Sequence, residues 1–184
     1  MKNISIYLVF LSITFFSINA QDWSNFKQFK KENAILVPLE SGKDRIVFMG
    51  NSITIGWLNI HPLFFENKPY INRGISGQTT PQMLVRFRAD VVDIDATAVV
   101  ILAGTNDIAE NTGPTTLNMI LDNLKSMSEI AQANNVKIIL CSILPAYDYP
   151  WRTGLEPNVK IPALNKMIKG YAEANDIYYL DYFK

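Results

Sequence analysis

The stretch RIVFMGNSITIGW, residues 45–57, decides how the rest of the chain is read. Its apolar run Ile46-Val47-Phe48-Met49 has the length and composition of a buried strand. Gly50 ends the run, and the polar residues Asn51, Ser52 and Thr54 open the next element. A strand that passes through a glycine turn into a helix puts Ser52 near the carboxyl end of a parallel strand, where open α/β sheets bind ligands. There the serine hydroxyl and N–H lie beside a helix N-terminus, whose unpaired donors favour negative charge. The same residues also fit a plain structural role, in which Asn51 or Ser52 caps the helix. Both readings stay open on this stretch alone.

Outward from it, apolar runs and amphipathic stretches alternate. Strands are expected at 70–72, 96–102, 136–141 and 177–180, with ATAVVIL (96–102) apolar enough to be buried on both faces. Helices are expected over 54–65, from a Thr80 cap before Pro81 to Phe87 or Ala89, over 116–133 and over 157–174, the last with Pro162 near its first turn. Leu117, Ile120, Leu121, Leu124, Met127 and Ile130 recur at helical spacing. Trp23, Phe26 and Phe29 suggest a further short amphipathic helix over 22–33, laid against the outside of the sheet. The alternation βαβαβαβαβ specifies a parallel sheet with helices on both faces and right-handed crossovers.

A chain of 184 residues with 48% apolar and 18% charged residues is long enough for one domain with a sizeable core. Its formal net charge is zero and its lysines are scattered, which argues against a nucleic-acid partner. Lys2, the apolar run ISIYLVFLSITFF and the small residues before Gln21 read as a secretory signal peptide over 1–20, leaving a single domain over 21–184. Export to a secreted or periplasmic location follows, with no transmembrane segment after cleavage; a retained N-terminal anchor is the alternative. Cys141 is the only cysteine and His61 the only histidine, so no intramolecular disulfide is possible, and neither a metal site nor a cofactor is expected. Cys141, inside VKIILCS, reads as a small buried hydrophobe.

Three strand ends carry polar turns: Gly50-Asn51-Ser52, Gly74-Ile75-Ser76-Gly77 and Gly104-Thr105-Asn106-Asp107. A parallel sheet brings all of them to one edge. Ser52 offers a nucleophile, Gly77 a backbone N–H uncrowded by a Cβ, and Asn106 a side-chain amide. One nucleophile with convergent neutral donors suits acyl transfer, because charge develops on the carbonyl oxygen of the tetrahedral intermediate. A phosphate loop is disfavoured, since GxxxxGK[ST] is absent and no lysine neighbours these turns.

With MGNSITIGW at 49–57, NRGISGQTT at 72–80 and AGTNDIA at 103–109, the chain resembles the SGNH hydrolase superfamily. These are the GDSL-type lipases and esterases, and the likeness is closest to acylhydrolases related to platelet-activating-factor acetylhydrolase. The resemblance runs from Arg45 to the last residue. It implies a three-layer αβα sandwich on a five-stranded, flavodoxin-like parallel sheet of order 2-1-3-4-5. It also implies Ser52 as nucleophile, with the Ser52 N–H, the Gly77 N–H and the Asn106 amide as oxyanion hole, acting on a small-molecule ester. Asn51 stands where the family usually has aspartate. The family's closing Asp-x-x-His block, which supplies the base and its orienting acid, has no counterpart up to Lys184, and the C-terminal helix is expected to be missing with it.

No other residue fills the gap readily. His61 lies nine residues beyond Ser52, ~13 Å along a helix, and Asp107 reads as bracing its own turn. Asp148 and Asp181 could approach the edge, but an aspartate with the reference side-chain pKa of ~3.9 is a poor base for a serine hydroxyl. Tyr147, Tyr149 and Trp151 either line an acyl or leaving-group pocket or cover exposed sheet edge. Two classes remain: a secreted serine esterase impaired in this chain by its missing base, and a noncatalytic binding module that keeps the fold. Acetylated carbohydrate, lysophospholipid and short-chain esters all fit as substrates, and no residue pattern specifies an oligomeric state.

Overall fold

Gly50 does close the first strand, and that strand takes the second place in the sheet. In the computed structural model, which describes residues 22–183, β1 (Ile46–Gly50) pairs in parallel with β2 (Tyr70–Gly74) and with β3 (Ala98–Leu102). Strands β4 (Lys137–Cys141) and β5 (Tyr178–Leu180) continue beyond β3, also parallel. The order is 2-1-3-4-5, as the resemblance implies. The signal peptide expected over 1–20 lies outside the described residues.

Helix α1 (Lys30–Ala34) precedes the sheet. Helices α2 (Ser52–Ile60) and α3 (Pro62–Phe65) connect β1 to β2. Helix α4 (Thr80–Phe87) runs into a π-helical turn, Arg88–Val92, on the way to β3. A short α5 (Thr105–Ile108) and the long α6 (Leu117–Ala133) lead to β4, and α7 (Pro157–Ala174) leads to β5. The step from β1 to β2 crosses the sheet in the opposite direction to every later step. Right-handed crossovers therefore put α2 and α3 on one face, and α4, α6 and α7 on the other.

The second of these faces holds the main core. Val47, Met49, Val99, Ile101 and Leu140 from the strands meet Met83, Phe87, Leu124, Met127, Leu164 and Ile168 from the helices, all buried. Each such side chain contributes roughly 1.5–3 kcal/mol by leaving water. On the first face, Phe48 packs edge-on against Trp57, Phe64, Phe65 and Tyr70 at ring-centroid distances of 5.4–5.7 Å. Because α2 and α3 pack on β1 and β2, this covering stops at β1. Val100 and Ile139 are half-buried, while Tyr178 and Leu180 are exposed. Strand β3 is thus fully buried on one face only, a correction to the expectation of two.

Three local expectations also need correcting. Residues 22–29 form tight turns and not helix: the Asp22 carboxylate accepts hydrogen bonds from the N–H groups of Phe26 and Lys27 (2.8 and 2.9 Å), and Asn25 adopts a left-handed φ of 52°. Phe29 is buried but Trp23 and Phe26 are nearly half-exposed. Helix α2 starts two residues earlier than the expected 54 and breaks at His61-Pro62. Thr79, not Thr80, caps α4, with the Gln82 side chain accepting from the Thr79 N–H at 3.0 Å.

Candidate active site

The turn after β1 separates the two readings of its polar residues. Asn51 is the N-cap of α2: its side-chain oxygen accepts from the Ile53 N–H at 3.0 Å, and the residue is buried. This is what an aspartate there would also do. Ser52 is the first helical residue and is exposed, so the capping role falls to its neighbour and leaves its hydroxyl free of that duty. The approach is tight: a Cβ on Gly50 would sit 2.0 Å from Thr54 Oγ1 and 2.9 Å from the Leu102 carbonyl oxygen.

Gly50 is in register with Gly74 on β2 and with Leu102 on β3, so the other two turns leave the sheet at the same level on either side of Ser52. The turn after β2 is tied to β1 by Ile75 N–H donating to the Gly50 carbonyl, 3.1 Å. Gly77 has φ +76°, a conformation that costs a residue with a Cβ. Its Cβ would have met only Asn111 Nδ2, at 3.9 Å, so conformation and not space calls for glycine. Asn106, buried at the start of α5, donates from Nδ2 to the Gln78 carbonyl at 2.9 Å. Nδ2 carries two hydrogens, so one donor remains after this bond. Asn111 Nδ2 donates to the Gly77 carbonyl at 3.0 Å. The turns bearing Gly77 and Asn106 are thereby held to each other.

Asp107 completes the fastening. Its carboxylate accepts from the Thr80 N–H at 2.9 and 3.0 Å and from the Thr80 hydroxyl at 2.5 Å, which closes the N-terminus of α4. Burial raises its pKa above the ordinary value, and the bonds from Thr80 oppose that rise. It braces the turn, as expected.

Sequence reasoning missed a buried polar brace below the Gly77 turn. Arg86, fully buried on α4, donates from Nε to Gln78 Oε1 (2.7 Å), from Nη1 to Asp90 Oδ2 (2.8 Å), and from Nη2 to the carbonyls of Arg73 (2.8 Å) and Gly50 (3.4 Å). Gln78 Nε2 in turn donates to the Ser24 carbonyl at 2.6 Å, and Gln82 Nε2 to the Trp23 carbonyl at 2.6 Å. Arg73 donates to Asn33 Oδ1 at 2.6 Å and lies 4.6 Å over the Phe29 ring. Burial lowers the pKa of Arg86, and Asp90 works against that shift. One signal was available: Arg86 and Asp90 stand four apart, and Arg86 shares the helical face of Met83 and Asp90.

The remaining candidates disperse. His61 sits at the opposite end of α2 from Ser52 and is exposed. Asp148 accepts from the N–H groups of Tyr149 (2.8 Å) and Gly154 (3.2 and 3.3 Å), and Asp181 from Phe183 N–H (3.0 Å) and Ser142 Oγ (3.2 Å), so both close local turns. Tyr149 is buried, its hydroxyl 2.8 Å from Thr105 Oγ1 and 3.0 Å from the Thr105 carbonyl. Tyr147 and Trp151 are exposed, so the three aromatics do not line one pocket. Beside Ser52, Ile53, Thr54, Trp57, Leu102, Leu144 and Tyr182 line an open cavity of about 250 Å³, continuous with the thinly covered face of β3. Cys141 is buried. Among the described residues no helix is long and apolar enough to cross a membrane, and no group of three His, Cys, Asp or Glu could hold a metal.

A doubly wound sheet of this order, with a serine heading the helix after β1 and glycine and asparagine turns on the flanking strands, has the architecture of SGNH-type acylhydrolases. The chain belongs to the GDSL-like lipase/acylhydrolase family, whose model matches residues 48–184. The family is one of carboxylic ester hydrolases. The structure is similar to that of a protein from Bacteroides fragilis assigned as an acylhydrolase, at 45% identity and a TM-score of 0.86, covering 89% of this chain and 79% of that one. It is also similar to a GDSL-like lipase from Bacteroides thetaiotaomicron, at 48% identity and a TM-score of 0.84, covering 86% and 78%. The uncharacterized lipoprotein YqeF of Bacillus subtilis is 30% identical over 121 residues, 56% of this chain; the chain spans about half of that relative's length (50%).

Proposed function

We propose that residues 21–184 form an exported serine ester hydrolase in which Ser52 is the nucleophile. The Ser52 Oγ attacks the carbonyl carbon of a small acyl ester, and the negative charge that forms on the carbonyl oxygen is met by the N–H groups of Ser52 and Gly77 and by the free hydrogen on Asn106 Nδ2. Collapse expels the alcohol and leaves an acyl-serine, which water then hydrolyses to the acid. The observation that carries this reading is the 2.9 Å bond from Asn106 to the Gln78 carbonyl. It joins the asparagine to the residue after Gly77, so the two oxyanion donors are held as one unit level with Ser52. Pre-set donors of this kind are each worth ~10²–10³-fold in kcat.

The serine proton also needs an acceptor. Among the described residues the one histidine, His61, is at the far end of α2 from Ser52 and does not serve as that acceptor. Oxyanion donors and binding alone sustain roughly 10³–10⁴-fold catalysis over water, so turnover by the 184-residue chain is feeble. The position of His61 equally favours the second reading, a binding module that keeps the fold without the chemistry. The test is hydrolysis of a short-chain aryl ester by the chain and by a version extended with a segment carrying Asp-x-x-His, each beside a Ser52→Ala control. Restoration of Ser52-dependent turnover by the extension supports the esterase. A folded, extended chain with no such turnover supports the binding module.

Export rests on residues 1–20. N-terminal sequencing of the exported protein should begin at Gln21; an intact Met1 in a membrane fraction would refute cleavage.

A further inference from the structure

Trp151 is 63% exposed, yet its ring and the chain on both sides of it are tied to the rest of the fold. One face of its indole stacks on Tyr149, centroids 5.1 Å apart and planes 28° from parallel. Tyr149 is anchored through its hydroxyl to Thr105, the residue before Asn106. On the other side of Trp151 in sequence, Arg152 donates to the Glu110 carbonyl (2.8 Å) and to its carboxylate (2.9 Å). Asn111, next to Glu110, donates to the Gly77 carbonyl. Two short chains of contacts therefore connect the platform to the two oxyanion donors, one through Tyr149 and one through Arg152. None of them is needed to bury Trp151, whose outer face stays in water.

We propose that Trp151 is a stacking platform for the alcohol portion of the ester, and that this portion is a neutral sugar. The inference rests on the reading of Ser52, Gly77 and Asn106 as the ester site, and it names that site's substrate class as acylated oligosaccharides. A pyranose ring presents a flat patch of C–H groups that fits the free face of an indole, while its hydroxyls project around the rim. Next in sequence to Trp151, the Arg152 guanidinium is paired with the Glu110 carboxylate, and both are planar groups suited to paired hydroxyls. The two charges are already matched with each other, so the pair selects a polar, uncharged group over a phosphate ester. A platform fixed before binding adds little ordering cost when a ligand arrives.

The experiment is a titration of the 184-residue chain with xylotetraose, which has no ester and so needs no catalysis, followed by calorimetry and tryptophan fluorescence. Lysophosphatidylcholine below its critical micelle concentration is the comparison ligand. Binding of xylotetraose with a Kd in the millimolar range is expected, weakened about 10-fold or more in Trp151→Ala and only a few-fold in Trp151→Phe, with the circular dichroism of both unchanged. Binding that is absent at about 10 mM, binding equal in Trp151→Ala, or Trp151-dependent binding of the lysolipid without the sugar would each overturn the proposal. Ser52→Ala separates this proposal from the esterase reading. It should abolish aryl-ester turnover and leave xylotetraose binding intact. If it leaves turnover unchanged while sugar binding still depends on Trp151, the platform stands and the nucleophile assignment falls.

Discussion

Arg86→Met removes the centre of the buried brace while keeping an unbranched side chain of similar length on α4. Three consequences follow from the bonds that Arg86 makes. Asp90 loses its cationic partner and keeps only the Asn33 amide, 2.8 Å from its other oxygen. Gln78 Oε1 loses its donor, and the carbonyls of Arg73 and Gly50 lose theirs. Removing one partner of a buried ion pair typically costs 3–5 kcal/mol, because a charge is left without compensation. Against a domain stability of roughly 5–15 kcal/mol that is a large fraction, but not necessarily all of it. With an m value of about 2 kcal/mol per M, the urea midpoint should fall by about 1.5–2.5 M. Arg86→Lys keeps a charge for Asp90 but cannot fan out to Gln78 and the two carbonyls, so an intermediate loss is expected. The double variant Arg86→Met with Asp90→Leu should recover part of the loss, since no charge is then stranded. Equilibrium unfolding followed by circular dichroism provides all the values. A loss below about 1 kcal/mol in Arg86→Met, or a double variant worse than the sum of the singles, would show that the pair does not act as a buried, coupled unit.

Gly77→Ala should lower Tm by about 2–4 °C, the shift for a loss near 1 kcal/mol in a domain of this size, because the strain is conformational and a Cβ there has room. A fall beyond about 10 °C would mean that packing and not φ is at stake. Asp107 has a folded pKa raised above its ordinary 3.8. As pH climbs through that window the unfolded chain releases the proton first, so this group's contribution to stability declines with rising pH. Asp107→Asn should therefore gain on the native chain between acid and neutral pH, and thermal melts showing the opposite trend would contradict the burial argument. Burial pushes the Cys141 thiol up to about 12. A disulfide reagent at pH 8 should then label it no faster than the domain unfolds, and labelling of native protein within seconds would count against that burial.

Strand positions were legible because each is a short run of apolar residues ended by a turn, and β1 illustrates it: Gly50 stops IVFM where the structure stops it. The order of strands was not written in any periodicity and came through the resemblance of three motifs. Helix α6 was readable from its apolar stripe and runs from Leu117 to Ala133. The segment around Trp23, Phe26 and Phe29 misled, because a three-residue aromatic spacing is also compatible with turns, and the Asp22 carboxylate and left-handed Asn25 decide in favour of turns. The π-helical turn at Arg88–Val92 leaves no trace in hydrophobic spacing. Residue choice at Ser52, Gly77 and Asn106 suggested chemistry, but their mutual fastening could not be read. It depends on Asn106 reaching the carbonyl of Gln78 and on Asp107 reaching Thr80, contacts across 27 to 28 positions of chain.

The brace beneath the Gly77 turn has a consequence for where the domain may be cut. The family match begins at residue 48, which would make residues 22–47 look like dispensable leader. Yet the carbonyl groups of Trp23 and Ser24 receive the side-chain amides of Gln82 and Gln78, and Asn33 receives Arg73. A version trimmed to the matched boundary would keep every motif residue and lose the far ends of their supports, as well as the first two residues of β1. Likeness between relatives marks where sequences agree, whereas the autonomous unit extends to the last segment that satisfies its buried polar groups. For this protein that segment includes Trp23 and Ser24, and a cut that removes them leaves the amides of Gln82 and Gln78 without their carbonyl partners.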